Sequence, residues 1–348
     1  MTITQKYLIA AAVLVCAAVA VAVMFWSPRT LTFHTEEPPE IPTLLKIGFV
    51  GDWEHGHRKR MKHKLTGQSI AELQKAVDFL NNEFRPDLVI GGGDYVESSS
   101  VKKEKAKQQL RDADAVFKML TAERLYALGN HDMRSLTKAE VREILQMPDN
   151  HAVKDIGDWR VIVLDANFNA ADDSERAEKN YVLGHVSPAE LEWLRAGLDT
   201  DRPVIVFVHH SPMDFLNKKN ERMVVNISNG AVVRAVLEER GNVAAVISGH
   251  SPLSYHEKHN GINYVIVDTL VNEPALGSFA TIEFDHYRKG DKAVIRLEQK
   301  GINPQRYELV WHRGDKSSEA AYRSFGTLVE EPGSTAPGEA VEVSGDED

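Results

Sequence analysis

Short apolar runs alternate with helical patterns along most of the chain. The apolar runs, which are rich in Val, Ile and Leu, predict buried strands at residues 44–50, 87–90, 124–128, 159–164, 204–208, 243–247 and 264–267. Segments with apolar positions at helical spacing predict helices at residues 69–84, 105–120 and 188–196. This alternation is typical of an α/β fold, in which helices cover the faces of a sheet.

Residues 279–310 have a different pattern, in which one strand follows another. Thr281, Ile282, Glu283 and Phe284 alternate between polar and apolar types, the period of a strand with one buried face. We therefore expect a second, more antiparallel sheet at the end of the domain.

The N-terminal segment predicts a single membrane helix. Residues 7–26 carry no charge, and about twenty residues at about 1.5 Å each span a hydrocarbon core of about 30 Å. Lys6 precedes this segment and Arg29 follows it, so the distribution of positive charges specifies the orientation only weakly. We expect a retained signal-anchor, with the catalytic domain outside the cytoplasm in a periplasmic or extracellular location.

A cleaved signal peptide is the alternative, because Ala18, Ala20 and Ala22 could form a small-residue cleavage site. The apolar run continues to Trp26, however, beyond the 7 to 15 residues of an ordinary signal core. The length of the run therefore favours retention.

Composition divides the chain into an anchor, a spacer, one large domain and a tail. Proline recurs in the spacer, and Pro, Gly, Ser, Glu and Asp dominate a tail that we expect to be disordered. The predicted segments are a flank at 1–6, the membrane helix at 7–26, the linker at 27–42, the domain at 43–328 and the acidic tail at 329–348.

The charge balance argues against a nucleic-acid binder, because the formal net charge is -10 and phosphate backbones require clustered Lys and Arg. One basic stretch, residues 58–64, is the exception, and a solvated loop or a phosphate-facing loop would both look like this. The only cysteine, Cys16, lies in the apolar N-terminus, so the domain has neither an internal disulfide nor a thiolate nucleophile.

Polar clusters follow five of the predicted strands, at the edge where open α/β sheets bind their ligands. The clusters are Gly51-Asp52-Trp53-Glu54-His55, Gly93-Asp94, Gly129-Asn130-His131-Asp132, His209-His210-Ser211-Pro212 and Gly249-His250-Ser251-Pro252. Each cluster alone is explained as a turn, a helix cap or a structural histidine. Together they bring carboxylate, amide and imidazole groups to one edge, and these are the groups that bind divalent metals.

In order and type, these clusters resemble the motifs of the calcineurin-like metallophosphoesterase superfamily: D-x-H, G-D, G-N-H-D/E, a histidine before a proline, and G-H-x-H. Gly-Asn-His-Asp at residues 129–132 is the most specific match. The resemblance implies a four-layer α/β/β/α sandwich of two mixed sheets. It also implies hydrolysis of phosphate esters or anhydrides by a metal-bound hydroxide held between two divalent ions.

Manganese is the expected metal because the ligands are rich in oxygen, with iron or zinc as alternatives. The substrate would be a phosphorylated small molecule or a lipid headgroup. No nucleic-acid partner is expected, and the membrane is contacted through the N-terminal helix.

The resemblance also assigns metal ligands. Asp52 would bind the first metal, Asp94 would bridge both metals, and Asn130 and His250 would bind the second. Asp94 suits the bridging position because a carboxylate offers two oxygens to two cations.

The last ligand of the second metal has two candidates, His209 and His210. We prefer His210, because the family often shows His-x-Pro and Pro212 lies two residues further on. As a catalytic pair, His131 would stabilise the phosphoryl group or protonate the leaving oxygen, and Asp132 would orient it.

Two positions depart from the family pattern, and both belong to the first metal. Glu54 stands where D-x-H has its histidine, and Pro252 stands where G-H-x-H has its second histidine. We expect Glu54 to bind the first metal through oxygen; His55, water or His256 could also complete that site. The alternative function is a weakly active or inactive binding protein on the same scaffold. Glu54 and Pro252 are the residues that suggest it.

Overall fold

The fold is built from thirteen strands within the residues that this computed structural model describes. Those residues are 41–175, 181–215 and 226–324, with 320–324 described by their backbone alone. The strands are β1 Thr43–Val50, β2 Leu88–Gly91, β3 Glu123–Tyr126, β4 Ala152–Ile156, β5 Trp159–Leu164, β6 Val204–Val208, β7 Val243–Ser248, β8 Ser254–His259, β9 Ile262–Ile266, β10 Ala280–Tyr287, β11 Lys292–Gln299, β12 Gln305–His312 and β13 Glu319–Ser324.

The strands form two mixed sheets. The first has the order β12-β11-β10-β1-β2-β3 and the second the order β13-β8-β9-β7-β6-β5-β4. β1, β2 and β3 run parallel to one another, as do β5, β6 and β7. Each sheet therefore has a parallel half whose carboxyl ends can carry a ligand site.

Five α-helices accompany the sheets in the described ranges. They are α1 Ser69–Phe79, α2 Lys103–Phe117, α3 Lys138–Leu145, α4 Pro188–Leu198 and α5 Gly230–Glu238. Leu73 of α1, Leu110 of α2 and Val141 of α3 share one buried cluster with Val89 of the first sheet. Leu194 of α4 and Val233 of α5 share another with the second sheet. The helices thus pack on the outer sheet faces.

The main core lies between the two sheets. Phe49 of β1 stacks on Phe207 of β6 at a ring separation of 5.9 Å, and Trp159 of β5 packs against Phe284 of β10 at 5.3 Å. All four rings belong to one buried cluster with strand residues of both sheets. Because both inner faces are apolar, the sheets must face each other, and this brings their carboxyl ends together.

The prediction of two mixed sheets with helices is confirmed, but the strands at the end of the domain do not form a separate sheet. β10, β11 and β12 are antiparallel, as predicted, yet β10 pairs with β1 and extends the first sheet. The pairing satisfies the edge of β1 opposite β2, which would otherwise leave a row of backbone groups unpaired.

The predicted helix at 69–84 ends at Phe79 and continues as a π-helical turn, Leu80–Phe84. Among the described residues, no helix is both long and apolar enough to cross a bilayer. The membrane helix predicted at 7–26 and the tail predicted at 329–348 lie outside the described residues and stay predictions.

Candidate metal centre

The polar clusters meet where the parallel strands end. Asp52 and Glu54 follow β1, Asp94 follows β2, and Asn130 follows β3. His209, His210 and His250 follow β6 and β7 of the opposite sheet, and all of these side chains except that of His250 are buried. The site is therefore shared between the two sheets.

Four site residues have a left-handed backbone: Asp52 (φ 51°), Glu54 (φ 38°), Asp94 (φ 51°) and His250 (φ 65°). This conformation is uncommon outside glycine and concentrates at functional sites, where the surrounding structure compensates for its cost. Here, Asp52 N donates to the Gly93 carbonyl at 3.0 Å, and Glu54 N donates to the Asp94 carbonyl at 2.9 Å. The neighbouring loops thus hold each other in place.

A close approach explains Gly129 of the Gly-Asn-His-Asp cluster. A Cβ at this position would lie 2.1 Å from the backbone nitrogen of Asp94, which no side chain can tolerate. Gly129 therefore allows the loop after β3 to reach Asp94. His131 N then donates to Asp94 Oδ1 at 2.8 Å.

We call Asn130, His209, His210 and His250 the second-metal side, with Asp94 at its border. His209 Nε2 lies 3.1 Å from His250 Nδ1 and 3.4 Å from Asp94 Oδ2. The other nitrogen of His209, Nδ1, lies 2.7 Å from the Gly92 carbonyl. A backbone carbonyl on the far nitrogen is the usual support of a metal-binding histidine, because it fixes the tautomer and the ring.

Asn130 is oriented in a similar way. Its Nδ2 donates to the Tyr181 carbonyl at 3.1 Å, while its Oδ1 is buried without a hydrogen-bond partner among the described residues. The amide oxygen is therefore free to act as a ligand.

His210 lies beside this group. Its ring centroid is 4.4 Å from that of His250, and neither ring nitrogen has a hydrogen-bond partner in the described part of the chain. The structure brings His209 and His210 to the same place, and His209 is the one with a ring nitrogen 3.4 Å from Asp94 Oδ2 and the other 2.7 Å from the Gly92 carbonyl.

The three histidines of the second-metal side differ in the direction of their pKa shifts. Burial opposes a charge on His209, but Asp94 and Asp52 outweigh it and raise the pKa of His209 to about 10. Burial and the charge of His209 lower the pKa of His210, and burial with the neighbouring histidines lowers that of His250. A metal ion binding here would displace the proton of His209 and take over its charge.

Several buried polar atoms of the site have no hydrogen-bond partner within the described ranges. They are Asp52 Oδ2, Glu54 Oε2, Asn130 Oδ1, both ring nitrogens of His210 and His250 Nε2. An unsatisfied buried polar atom costs about 1–3 kcal/mol, so a concentration of them indicates a missing ligand. Oxygen and imidazole nitrogen together fit a divalent transition metal on the second-metal side.

We call Asp52 and Glu54 the first-metal side. Glu54 Oε1 forms an ion pair with Lys64 Nζ, and the lysine side chain is only 18% exposed. Burial opposes the charge of Lys64, but Glu54 and Asp94 outweigh it and raise the pKa of the ammonium. Burial, partly offset by His209, raises the pKa of Asp52 well above its usual value.

Three groups in the described ranges place metal-binding atoms within 4.8 Å of one another. They are His209 with His210 and His250, Asp52 with Asp94 and His209, and Glu54 with Glu97 and His131. None of these groups of described residues joins Glu54 to both Asp52 and Asp94. The other two candidates for the first metal have different partners: His55 Nδ1 lies 3.0 Å from Ser69 Oγ, and His256 on β8 lies 3.3 Å from Asn263.

The partner of His131 differs from the predicted one. His131 Nδ1 lies 2.5 Å from Glu97 Oε2, and His131 Nε2 lies 3.0 Å from the guanidinium of Arg134 and 4.0 Å from Asp94 Oδ2. Burial opposes the charge of Glu97, but His131 and Ser99 lower its pKa to about 2. Glu97, which follows Asp94 by three residues, was missed because no motif marks it.

Asp132 instead fixes the loop after β2. Its carboxylate accepts hydrogen bonds from the backbone nitrogens of Asp94, Tyr95, Val96 and Gly129, at 2.6–3.1 Å. Burial and the charge of Asp94 raise its pKa to about 8. The expectation that Asp132 orients the His131 ring is therefore wrong, because its oxygens are occupied by backbone donors.

Comparisons with known proteins agree with this geometry. A family model described as calcineurin-like phosphoesterase matches residues 45–254. A 3',5'-cyclic adenosine monophosphate phosphodiesterase from Pseudomonas aeruginosa is 28% identical over 43% of this chain and 50% of its own. A cAMP/cGMP dual specificity phosphodiesterase from Mycobacterium tuberculosis is 28% identical over 55% of this chain and 56% of its own.

The chain thus spans about half the length of these curated relatives. Among solved structures, a dimetal phosphatase from Danio rerio superposes with a TM-score of 0.59 at 16% identity, covering 78% of this chain and 99% of that one. At this identity the likeness establishes the fold alone.

Proposed function

The chain belongs to the calcineurin-like phosphoesterase family, and we propose that it hydrolyses a phosphate ester or anhydride in a metal-dependent reaction. The observation that carries the proposal is the convergence, from both sheets, of buried oxygen and nitrogen atoms that have no hydrogen-bond partner in the described part of the chain. Each buried polar atom without a hydrogen bond destabilises the folded protein. Such a group of atoms is therefore unexpected in a protein that only retained the fold.

The family implies two divalent metals, and the second-metal side fits one of them. We propose that Asp94, Asn130, His209 and His250 hold this ion, with His209 rather than His210 as the strand-end ligand. His209 has the carbonyl support and the 3.1 Å spacing to His250 that two ligands of one ion require. When bound, the metal supplies positive charge for the phosphoryl oxygens and activates a water molecule.

His131 is the proposed proton donor to the leaving oxygen. Glu97 holds Nδ1, which directs Nε2 toward Arg134 and toward Asp94 at the metal site. Arg134 is itself held by Ser99 at 2.5 Å. The guanidinium is thus placed beside the catalytic imidazole, where it can bind a phosphate oxygen.

A phosphodiester is the proposed substrate class. Two curated relatives are named as cyclic-nucleotide phosphodiesterases, and hydrolysis of a diester leaves an alkoxide that needs a proton donor such as His131. Manganese remains the proposed metal because two of the four proposed ligands bind through oxygen.

The test is a hydrolysis panel with the full-length chain. We expect turnover of bis(p-nitrophenyl) phosphate and of cAMP only after Mn²⁺ is added, with less turnover of p-nitrophenyl phosphate. Equal turnover after thorough chelation would contradict the proposal. Faster hydrolysis of the monoester would leave metal dependence in place but contradict the substrate class.

The inactive-scaffold function keeps one specific observation in its favour, the ion pair of Lys64 with Glu54 on the first-metal side. If the panel shows no turnover while one Mn²⁺ per chain binds, this second function is the correct one.

We further propose membrane anchoring through residues 7–26, with the catalytic domain outside the cytoplasm. The support is the uncharged run and the proline-rich linker after it. N-terminal sequencing of the mature protein and protease accessibility in intact cells test the two halves separately. A mature chain that begins after Ala20 or Ala22 contradicts anchoring, and protection from external protease until lysis contradicts the orientation.

A further inference from the structure

Lys64 is the last residue of the basic stretch at residues 58–64, and its charged end pairs with Glu54 in the site. A tight turn holds it: Lys64 N donates to the Met61 carbonyl at 2.8 Å, and Met61 N donates back at 2.9 Å. Leu65 N donates to the Val271 carbonyl, which ties the turn to the loop after β9. The backbone thus fixes the direction from which the lysine reaches inward.

The ammonium of Lys64 lies against the first-metal side, where Glu54 takes the position of a family histidine. It is paired with Glu54, and Asp94 and Asp52 stabilise its charge. These three carboxylates carry up to three negative charges in a buried setting, where an uncompensated charge is strongly unfavourable. A lysine ammonium is a compact point charge with three donors, and here it donates to Glu54 Oε1.

A divalent ion has few remaining ligands on this side. Pro252 supplies no side-chain donor where the family has a histidine. Among the described residues, no group whose ligand atoms all lie within 4.8 Å of one another contains Glu54 together with Asp52 and Asp94. Its group partners, His131 and Glu97, are already joined by a hydrogen bond. Of the donors that a first metal needs, Glu54 Oε1 is therefore paired with Lys64 and the second histidine is absent, which leaves Asp52, Asp94 and one oxygen of Glu54.

We propose that the Lys64 ammonium takes the place of the first metal ion, so that the protein binds one divalent ion and supplies the second positive charge itself. The inference rests on the proposed function, because it concerns the same site. It gives one explanation for Glu54, Pro252 and Lys64. Glu54 and Pro252 stand where the family has imidazole ligands, and Lys64 supplies positive charge beside Glu54.

The test is the number of Mn²⁺ ions bound per full-length chain, measured by titration calorimetry and by elemental analysis after desalting. We expect one ion in the wild type. In Lys64→Met, which keeps the length of the side chain but removes its charge, we expect two, because Asp52, Glu54 and Asp94 are left without a cation. Lys64→Arg should retain one.

Lys75→Met is the matched control, because Lys75 also pairs with a buried glutamate, Glu72 at 2.8 Å, but lies on α1 with 70% of its own side chain exposed. It should bind one ion. Melting temperature gives a readout that is independent of stoichiometry. Metal-free Lys64→Met should melt below the wild type, and saturating Mn²⁺ should raise its melting temperature more than that of the wild type or Lys75→Met. Should Lys64→Met fold only when Mn²⁺ is present, the proposal is supported.

Two ions bound by the wild type would overturn the inference and leave the proposed function intact. One ion in both the wild type and Lys64→Met would overturn it as well, since Lys64 would not be what excludes the ion. No ion in the wild type would instead refute the proposed function itself.

Discussion

The two sides of the site differ in the source of the positive charge that their buried carboxylates require. On the second-metal side, imidazole and amide groups converge on Asp94 with atoms left free for an ion. On the first-metal side, two carboxylates meet a lysine, and neither imidazole of the family pattern is present. Neutral nitrogen and oxygen donors leave room for a metal, whereas an ammonium already carries the charge that carboxylates require.

On our proposal for Lys64, the family fold is retained without both metal positions. Each position must only receive positive charge, because buried carboxylates without a cation would destabilise the fold. The comparison predicts that substitutions of the proposed ligands on the second-metal side weaken metal binding, while substitutions of Glu54 change stability more than metal binding.

The largest effect should come from Asp94→Asn, which removes the charge that both sides share. We expect kcat/KM for a phosphodiester to fall by about 10³-fold, the upper range for loss of one electrostatic contact in an active site. Mn²⁺ binding should weaken in the same titration. Asp78→Asn, on the exposed face of α1, is the control and should match the wild type. Unchanged activity in Asp94→Asn would contradict the claim that both sides of the site depend on the charge of Asp94.

The next effect separates the adjacent histidines. His209→Ala should weaken Mn²⁺ binding by about 100-fold, since it removes a ligand held by the Gly92 carbonyl. His210→Ala should weaken it by less than about tenfold, or 1.4 kcal/mol. Calorimetry on both variants, with folding checked by circular dichroism, measures the difference. The reverse order would restore His210 as the ligand, as the His-x-Pro pattern predicts.

Glu97→Gln should have a moderate effect through His131. We expect kcat to fall by about tenfold, at the lower end of losses for groups that orient an active-site histidine, with KM and Mn²⁺ stoichiometry unchanged. Steady-state kinetics checks this split. A loss of bound metal would mean that Glu97 acts as a ligand and not as a support for His131.

The same variant has a predicted pH dependence. The pKa of Glu97 is lowered from 4.5 to about 2 in the folded protein, so its contribution to stability is present above pH 4.5 and is lost as the pH falls toward 2. The difference in unfolding free energy between the wild type and Glu97→Gln should therefore shrink across that window. Denaturant titrations at several pH values measure it, and a constant difference would contradict the assigned hydrogen bond between Glu97 and His131.

The smallest effect on metal binding is expected from Glu54→Gln and His55→Ala. Both should bind as many Mn²⁺ ions as the wild type, because Glu54 faces Lys64 and His55 faces Ser69. Glu54→Gln should still lower the unfolding free energy by about 1–3 kcal/mol, since it leaves the ammonium without its carboxylate. A lost ion in Glu54→Gln would return Glu54 to the role of metal ligand, and a lost ion in His55→Ala would do so for His55.

The sequence by itself predicted the parallel strands well. β5 and β6 have the predicted bounds, because continuous Val, Ile and Leu runs can be buried only as central strands. It did not predict α3, α5, β4, β8 or β13, which are short elements with mixed composition. Their formation depends on the surfaces against which they pack, and a local pattern does not contain that information.

The sequence also predicted which polar side chains lie together, because each of these clusters follows closely after an apolar strand. The tertiary structure decided which neighbour faces which. Whether His209 or His210 turns toward Asp94 depends on the Gly92 carbonyl of the opposite sheet. That Glu97 rather than Asp132 holds His131, and that Lys64 reaches Glu54, depend on loops that meet only when both sheets pack. Contacts between residues distant in sequence are fixed by packing, and the spacing of residues along the chain does not predict them.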